Sequence, residues 1–188
     1  MRDKIIELLR STGRDGIENL ITYMTESNFF TAPCSTLHHL CKPGGLAEHS
    51  LNVYNFMWDI FHQSHHMTSS SMLNAGNIII VSLLHDLGKS TYRGRPTYEP
   101  NYLASGKVSD KKPFEVNKES YFNHELKSIL IAKQFIELTD DEEFAIYYHN
   151  GLYELSGREI QGKERPLQQL LLFADMWCSR FIEKGGVE

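Results

Sequence analysis

One heptapeptide carries the densest chemistry in the chain: Leu83-Leu84-His85-Asp86-Leu87-Gly88-Lys89. An imidazole and a carboxylate stand side by side at the end of the most apolar run in the protein, Ile78 to Leu84. That run is too short to cross a bilayer and too apolar to face water, so it reads as a buried helix whose C-terminal end carries His85 and Asp86 inward. An ionised carboxylate taken out of water is strongly disfavoured unless compensated, and a metal ion is the compensator that an adjacent imidazole implies. Further ligand types lie inside or beside apolar sequence elsewhere: His49, His124 with His149, and Asp175. Asp175 is the most telling, because Leu170-Leu171-Leu172-Phe173-Ala174-Asp175-Met176-Trp177 is a helix core with one carboxylate in it. A hydrogen-bond donor or an Arg would satisfy that carboxylate alone; a metal shared with His85 and Asp86 satisfies all three. Imidazole and carboxylate donors without thiolate suit Mn, Fe, Co, Ni or Zn, with Mg also admitted.

Helices must bring these residues together. Residues 3–10 and 15–27 pattern as two amphipathic helices, with Ile17, Leu20, Ile21 and Met24 on one face, and the first 30 residues brace the core. A connector over 34–43 holds His38 and His39. Gly44-Gly45 opens a long helix, about 46–64, with His49 near its start, and polar Thr68–Ser71 separates it from the His85-Asp86 helix, which Gly88 stops. Helical pattern returns at 121–137 around His124. Thr139-Asp140-Asp141-Glu142 is a capping-box signature for a helix over 140–149 that ends in His149-Asn150-Gly151. Pro166 opens a last helix, about 167–184, carrying Asp175. Residues 90–120 lack helical period and form a long basic loop that admits a short hairpin between Thr97–Leu103 and Phe114–Val116. The expectation is an all-α bundle of about seven helices, one domain over 1–188, with that loop on the substrate side.

Composition narrows the partners. Hydrophobic content of 41% and charged content of 23% are ordinary for a globular chain, which excludes disorder and fibre. A net charge of −5 gives the surface no general attraction for nucleic acid or anionic membrane, so neither stable duplex binding nor membrane association is expected. Cys34, Cys41 and Cys178 are odd in number with no C-x-x-C pair, and the N-terminus lacks a signal-peptide apolar core; both fit a cytoplasmic protein with reduced thiols.

The ordered set His49, His85-Asp86 and Asp175 has Gly44-Gly45-Leu46-Ala47-Glu48-His49-Ser50-Leu51 at its first member and His85-Asp86-Leu87-Gly88-Lys89 at its second. Over roughly residues 15–180 this resembles the HD superfamily of metal-dependent phosphohydrolases. It is similar to small bacterial or phage HD hydrolases. It is also similar to the HD domain attached to some bacterial 3′-to-5′ exoribonucleases, where a His-His pair precedes Gly-Gly-Leu as His38-His39 does here. The resemblance implies an HD-domain bundle with one ion on His49, His85, Asp86 and Asp175. His124 and His149 stand where two-metal members add two His, which implies a second ion with Asp86 bridging. Two ions roughly 3.5–4 Å apart share a water, lower its pKa toward about 7 and clamp phosphoryl oxygens during in-line attack, so the expected nucleophile is a bridging hydroxide. Lys89 would bind a phosphate oxygen; the plain alternative is a Lys answering the helix dipole.

From Lys89 to Lys118 seven basic residues face three acidic ones, a basic stretch in an acidic chain. With Tyr92, Tyr98 and Tyr102 it suits a phosphorylated substrate bearing a stackable base, although a solvated loop explains it too. Expected substrate contacts are His39, Lys89, Arg93, Arg95 and Lys107, and the expected catalytic pair is Asp86 and Lys89. Glu48 and Glu125 read either as acceptors behind neighbouring ligands or as surface charges. Cys34 and Cys41 read as packed or idle. His62, His65 and His66, at the polar end of a helix, read as surface residues. The expected reaction is hydrolysis of a phosphomonoester or phosphodiester bond in a nucleotide or short oligonucleotide. A nucleotide-binding HD module without turnover and an RNA 3′-end nuclease are the rival readings.

Overall fold

The computed structural model describes residues 1–63, 73–119, 122–151 and 154–183. Among these, seven α-helices follow in chain order: α1 (Arg2–Ser11), α2 (Ile17–Glu26), α3 (Gly45–Gln63), α4 (Ala75–Leu84), α5 (His124–Ala132), α6 (Asp140–Tyr147) and α7 (Pro166–Trp177). The fold is mostly helical, with one two-stranded antiparallel ribbon in the loop between α4 and α5, β1 (Tyr98–Pro100) and β2 (Phe114–Val116), in the register Tyr98↔Val116. No helix among the described residues is long and apolar enough to cross a membrane.

α4 is the axis of the bundle. Its run of Ile78-Ile79-Ile80-Val81 is β-branched and intrinsically a modest helix former, yet a segment apolar on every side gains most by being wrapped on every side. It is wrapped by α1, α3, α6 and α7, and every residue from Ile78 to Leu84 is buried. Asn74 caps its N-terminus by accepting from the Asn77 amide. Outside this axis, the expected capping box closes α6: Thr139 Oγ1 accepts from the Glu142 amide, and the Glu142 carboxylate accepts from the Thr139 amide. Glu142 also pairs with Arg14, which ties the α1–α2 corner to α6.

Two expected helices end earlier than their hydrophobic pattern. Over its described residues, 122–137, the expected 121–137 helix is α-helical only from His124 to Ala132, starting at the Asn123 cap, whose side chain accepts from the Leu126 amide. The last helix stops being α-helical at Trp177 and continues as a π turn, Cys178–Ile182. The 68–71 separator, with His65 and His66, lies outside the described residues.

Candidate metal centre

The site begins where α4 ends. His85 keeps helical backbone angles, and Asp86, at φ −103 and ψ 9, leaves them for a short 3₁₀ turn over Leu87–Lys89. Gly88 in that turn has no room for a side chain: a Cβ there would lie 2.1 Å from the His124 carbonyl oxygen and 2.8 Å from the Ser128 amide nitrogen. Backbone therefore meets backbone, and α5 docks directly on the turn. Ser128 Oγ accepts from the Gly88 amide at 2.8 Å and lies 2.7 Å from the His85 carbonyl oxygen. This contact fixes where His124, the first residue of α5, stands relative to Asp86.

Four imidazoles surround the Asp86 carboxylate, two at each oxygen. Oδ2 lies 3.6 Å from His49 Nε2 and 3.5 Å from His85 Nε2; Oδ1 lies 3.3 Å from His124 Nε2 and 3.7 Å from His149 Nε2. Within each pair the Nε2 atoms face one another, at 3.3 Å for His49 and His85 and 3.4 Å for His124 and His149. Asp175 Oδ1, from α7, closes on His49 Nε2 at 3.1 Å.

The other ring nitrogens decide the tautomers. His85 Nδ1 faces the Ser82 carbonyl at 2.9 Å and His149 Nδ1 faces the Ile146 carbonyl at 2.7 Å. A carbonyl only accepts, so both Nδ1 atoms carry the proton and both Nε2 atoms present lone pairs. His49 Nδ1 sits 3.0 Å from each oxygen of Glu183, and His124 Nδ1 lies 3.3 Å from Glu125 Oε2. His85 and His149, held neutral in this way, aim their Nε2 lone pairs at one buried volume, into which His49 Nε2, His124 Nε2 and the carboxylates of Asp86 and Asp175 also point. Among the described residues Asp86 Oδ1 has no hydrogen-bond donor. An orphaned buried carboxylate oxygen among imidazole nitrogens favours positive charge, and nitrogen and oxygen donors backed by carbonyls and carboxylates fit a divalent metal ion. His49, His85 and Asp175 form one set of ligand atoms within 4.8 Å of one another, and His85, Asp86 and His149 form a second.

The electrostatics follow from burial and proximity. Burial pushes the His85 pKa down to about 4, which keeps the ring neutral. Burial also opposes ionisation of Asp86, but the Lys89 ammonium at 2.6 Å, then His85 and His124, hold it well below the usual carboxylate range. His49 behaves differently. Burial pushes its pKa down, yet Cys34, Asp175 and Glu183 together hold it well above the usual imidazole value, which favours a protonated ring where no ion is bound.

Glu183 is the residue at the cluster that sequence reasoning missed. At about 100° per residue, eight positions on an unbroken helix would carry it about 80° around from Asp175. The π turn, closed by the Glu183 amide on the Cys178 carbonyl at 2.9 Å, takes up one extra residue and returns Glu183 to within about 20° of the Asp175 face. The sequence holds no signal for such a turn; the nearest hint is a carboxylate after a helix that already bears one.

A cavity of about 190 Å³ opens beside the cluster, lined by His39, Lys89, His149, Asn150, Asp175 and Arg180, with Leu172 and Met176 as apolar wall. His149 and Asp175 thus share one cavity. Glu125 is buried behind His124 and takes a hydrogen bond from Asn150, whereas Glu48 is a surface charge paired with Lys42. The basic loop is placed otherwise than its charge implied. Arg93 and Arg95 line a different cavity with Tyr92, Phe122 and Lys127, Arg95 is paired with Glu119, and Lys107 is exposed in the outer turn of the loop. The loop is pinned by Thr97, whose hydroxyl lies 3.0 Å from the Gly88 carbonyl and accepts from Lys127 Nζ, and this docking turns its arginines away from the cluster. No family model, curated protein or solved structure matches the chain.

Proposed function

We propose that the protein is a metal-dependent phosphohydrolase of the HD type, opening a phosphomonoester or phosphodiester bond of a nucleotide or short oligonucleotide. The observation that carries this reading is the split at Asp86, where each carboxylate oxygen meets its own pair of imidazole Nε2 atoms and Oδ1 lacks a donor among the described residues. His49, His85, Asp175 and Asp86 Oδ2 would hold one ion; His124, His149 and Asp86 Oδ1 would hold a second. Ions bound there supply Lewis acidity toward a phosphoryl oxygen and lower the pKa of water toward about 7. The order of the ligands and the Gly-Gly-Leu and His-Asp-Leu-Gly-Lys motifs support the HD assignment.

The chain's own residues do the rest. Lys89 Nζ borders the cavity and donates to Asp86 Oδ2 at 2.6 Å. Its remaining N–H groups are available to a phosphate oxygen, where the ammonium offsets negative charge as the bond breaks. Asn150 and Arg180 line the same wall, and Leu172 and Met176 form its apolar side. A volume of about 190 Å³ admits the phosphorylated end of a small molecule or strand, not a duplex.

The test is metal analysis of protein prepared without chelator, followed by a hydrolysis panel of nucleoside monophosphates and triphosphates, cyclic dinucleotides and short RNA with Mn, Fe, Co, Ni, Zn or Mg. Asp86→Ala should abolish both metal content and turnover. Lys89→Ala should keep the metal and slow turnover by about 10²–10³. Protein that carries no metal and takes up none overturns the reading, and tight nucleotide binding without turnover across all six metals replaces it with a binding module.

A further inference from the structure

Two further donor side chains adjoin the cluster: Cys34 and His39 have ligand atoms within 4.8 Å of one another and of His49, and Cys34 Sγ lies 3.9 Å from Asp86 Oδ2. Cys34 is fully buried, and His39 is largely so. They stand five residues apart in the connector before α3, and the backbone is folded to bring them together. The Cys34 amide donates to the Leu40 carbonyl at 3.2 Å. Ser35 Oγ accepts from the His38 amide at 2.9 Å and donates to the His39 carbonyl at 2.8 Å. Leu40 is held at φ 46, a strained angle for a branched residue, with Gly45 packed beneath: a Cβ on Gly45 would lie 2.1 Å from the Leu40 carbonyl oxygen. The result sets Cys34 Sγ 3.3 Å from His39 Nε2. Glu183 Oε2, almost fully buried, is 3.9 Å from the same nitrogen.

Those separations suit one ion. With Zn–S about 2.3 Å, Zn–N about 2.0–2.1 Å and Zn–O about 2.0–2.2 Å, the S···N and N···O edges of a tetrahedron are each about 3.3–3.6 Å. The two observed separations fall within about half an ångström of that range. We propose that Cys34 Sγ, His39 Nε2 and Glu183 Oε2 form a separate site for a single thiophilic divalent ion, of the zinc or cobalt class, using none of the ligands of the Asp86 cluster.

Charge and donor type agree with this. One thiolate and one carboxylate balance a divalent ion, so the loaded site is neutral where the ion-free site, a thiol and a carboxylate, carries one negative charge. Glu183 Oε1 keeps its contacts to His49 Nδ1 and to Asn52 Nδ2 at 3.0 and 3.1 Å. Burial pushes the Cys34 thiol up to about 12, so without an ion the sulfur keeps its proton. Loading releases that proton to solvent as the sulfur lone pair forms the metal–sulfur bond, with no change of oxidation state. A thiolate selects Zn or Co over Mg and Mn, a preference opposite to that of an oxygen-rich site.

Thiolate ligation has an optical signature that the imidazole–carboxylate cluster lacks. Chelator-treated full-length protein is titrated with Co(II), and absorption is read in the near ultraviolet for thiolate-to-cobalt charge transfer and in the visible for ligand-field bands. The expected result is a charge-transfer band that saturates at about one Co per chain. Cys34→Ser should abolish the band, His39→Asn should weaken that ion by at least about tenfold, and Cys178→Ser should leave the band intact. Absence of the band in the unsubstituted protein overturns the proposal, as does a band that survives Cys34→Ser or vanishes in Cys178→Ser. The proposal is independent of the phosphohydrolase reading: a band with no further cobalt bound removes the Asp86 cluster as a metal site and leaves this one standing.

Discussion

Gly88→Ala is the sharpest perturbation of the site, because it touches no ligand. The added Cβ would meet the His124 carbonyl oxygen at 2.1 Å, Lys127 Cβ at 2.7 Å and the Ser128 amide nitrogen at 2.8 Å. Two of the three are backbone and cannot rotate away, so reaching an ordinary contact requires α5 to retreat from the 3₁₀ turn by about 1 Å. Overpacking of this kind destabilises by about 1–3 kcal/mol, and weakening the Gly88 amide to Ser128 Oγ hydrogen bond adds about 1 kcal/mol, giving about 3 kcal/mol in all. The same retreat carries His124 away from Asp86 Oδ1, whereas metal–ligand distances tolerate only about 0.2 Å. Urea unfolding of chelator-treated protein and metal stoichiometry by equilibrium dialysis read the two effects separately. The ion on His124 and His149 should weaken at least about 100-fold, while the ion on His49, His85 and Asp175 is retained. Gly76→Ala is the control, since its Cβ meets only Asn74 Oδ1 at 3.3 Å, and should shift stability by less than about 1 kcal/mol. A Gly88→Ala protein with unchanged unfolding midpoint and both ions bound at parent affinity would refute the docking argument.

Glu183→Gln keeps the size of the side chain but removes the charge behind His49 Nδ1; metal affinity, measured against a chromophoric chelator, should fall about 10–100-fold with circular dichroism unchanged. The elevated pKa of His49 sets a pH dependence: the proton on Nε2 must leave before an ion binds, so affinity falls about tenfold per pH unit below that pKa, and calorimetry in buffers of different ionisation heat should detect a released proton. In ion-free protein the same proton stabilises the fold below the ordinary imidazole pKa, and that contribution is lost as pH rises through the elevated value; stability of His49→Gln should lack this slope. Arg14→Ala leaves the fully buried Glu142 carboxylate with only its capping-box partner and should destabilise by about 3 kcal/mol in urea unfolding, with no change in metal binding.

What the sequence made legible was whatever depends on local pattern. The apolar run into His85-Asp86, the Thr139–Glu142 capping box and the lone carboxylate in α7 each announce a helix and a buried polar group without reference to anything distant. What it hid depends on how separate pieces meet. Arg93 and Arg95 point elsewhere because the hydroxyl of Thr97 docks the loop on Gly88, a contact that no charge count reveals. Glu183 reaches His49 because of a π turn, and a 3.6-residue period places it on the wrong face. Cys34, which read as packed or idle, is packed and also meets His39 through a closed loop whose shape rests on a left-handed Leu40.

The ends of two helices explain why the ligands are ready before any ion arrives. The last carbonyls of a helix lack intrahelical partners, and at both α4 and α6 a histidine ring just past the end donates Nδ1–H to one of them, Ser82 in the first case and Ile146 in the second. Satisfying the helix end and choosing the ligand tautomer are therefore a single hydrogen bond made twice. The negative ends of the two helix dipoles also converge near Asp86, adding to a field that favours cations. A buried network built only for stability would give Asp86 Oδ1 a hydroxyl or amide donor, since such an atom left alone is destabilising by about 1–3 kcal/mol or more. Here the scaffold spends two helix ends, a glycine contact and a π turn on holding ring nitrogens toward Asp86, whose Oδ2 is already balanced by Lys89 and whose Oδ1 would be balanced by a further positive charge.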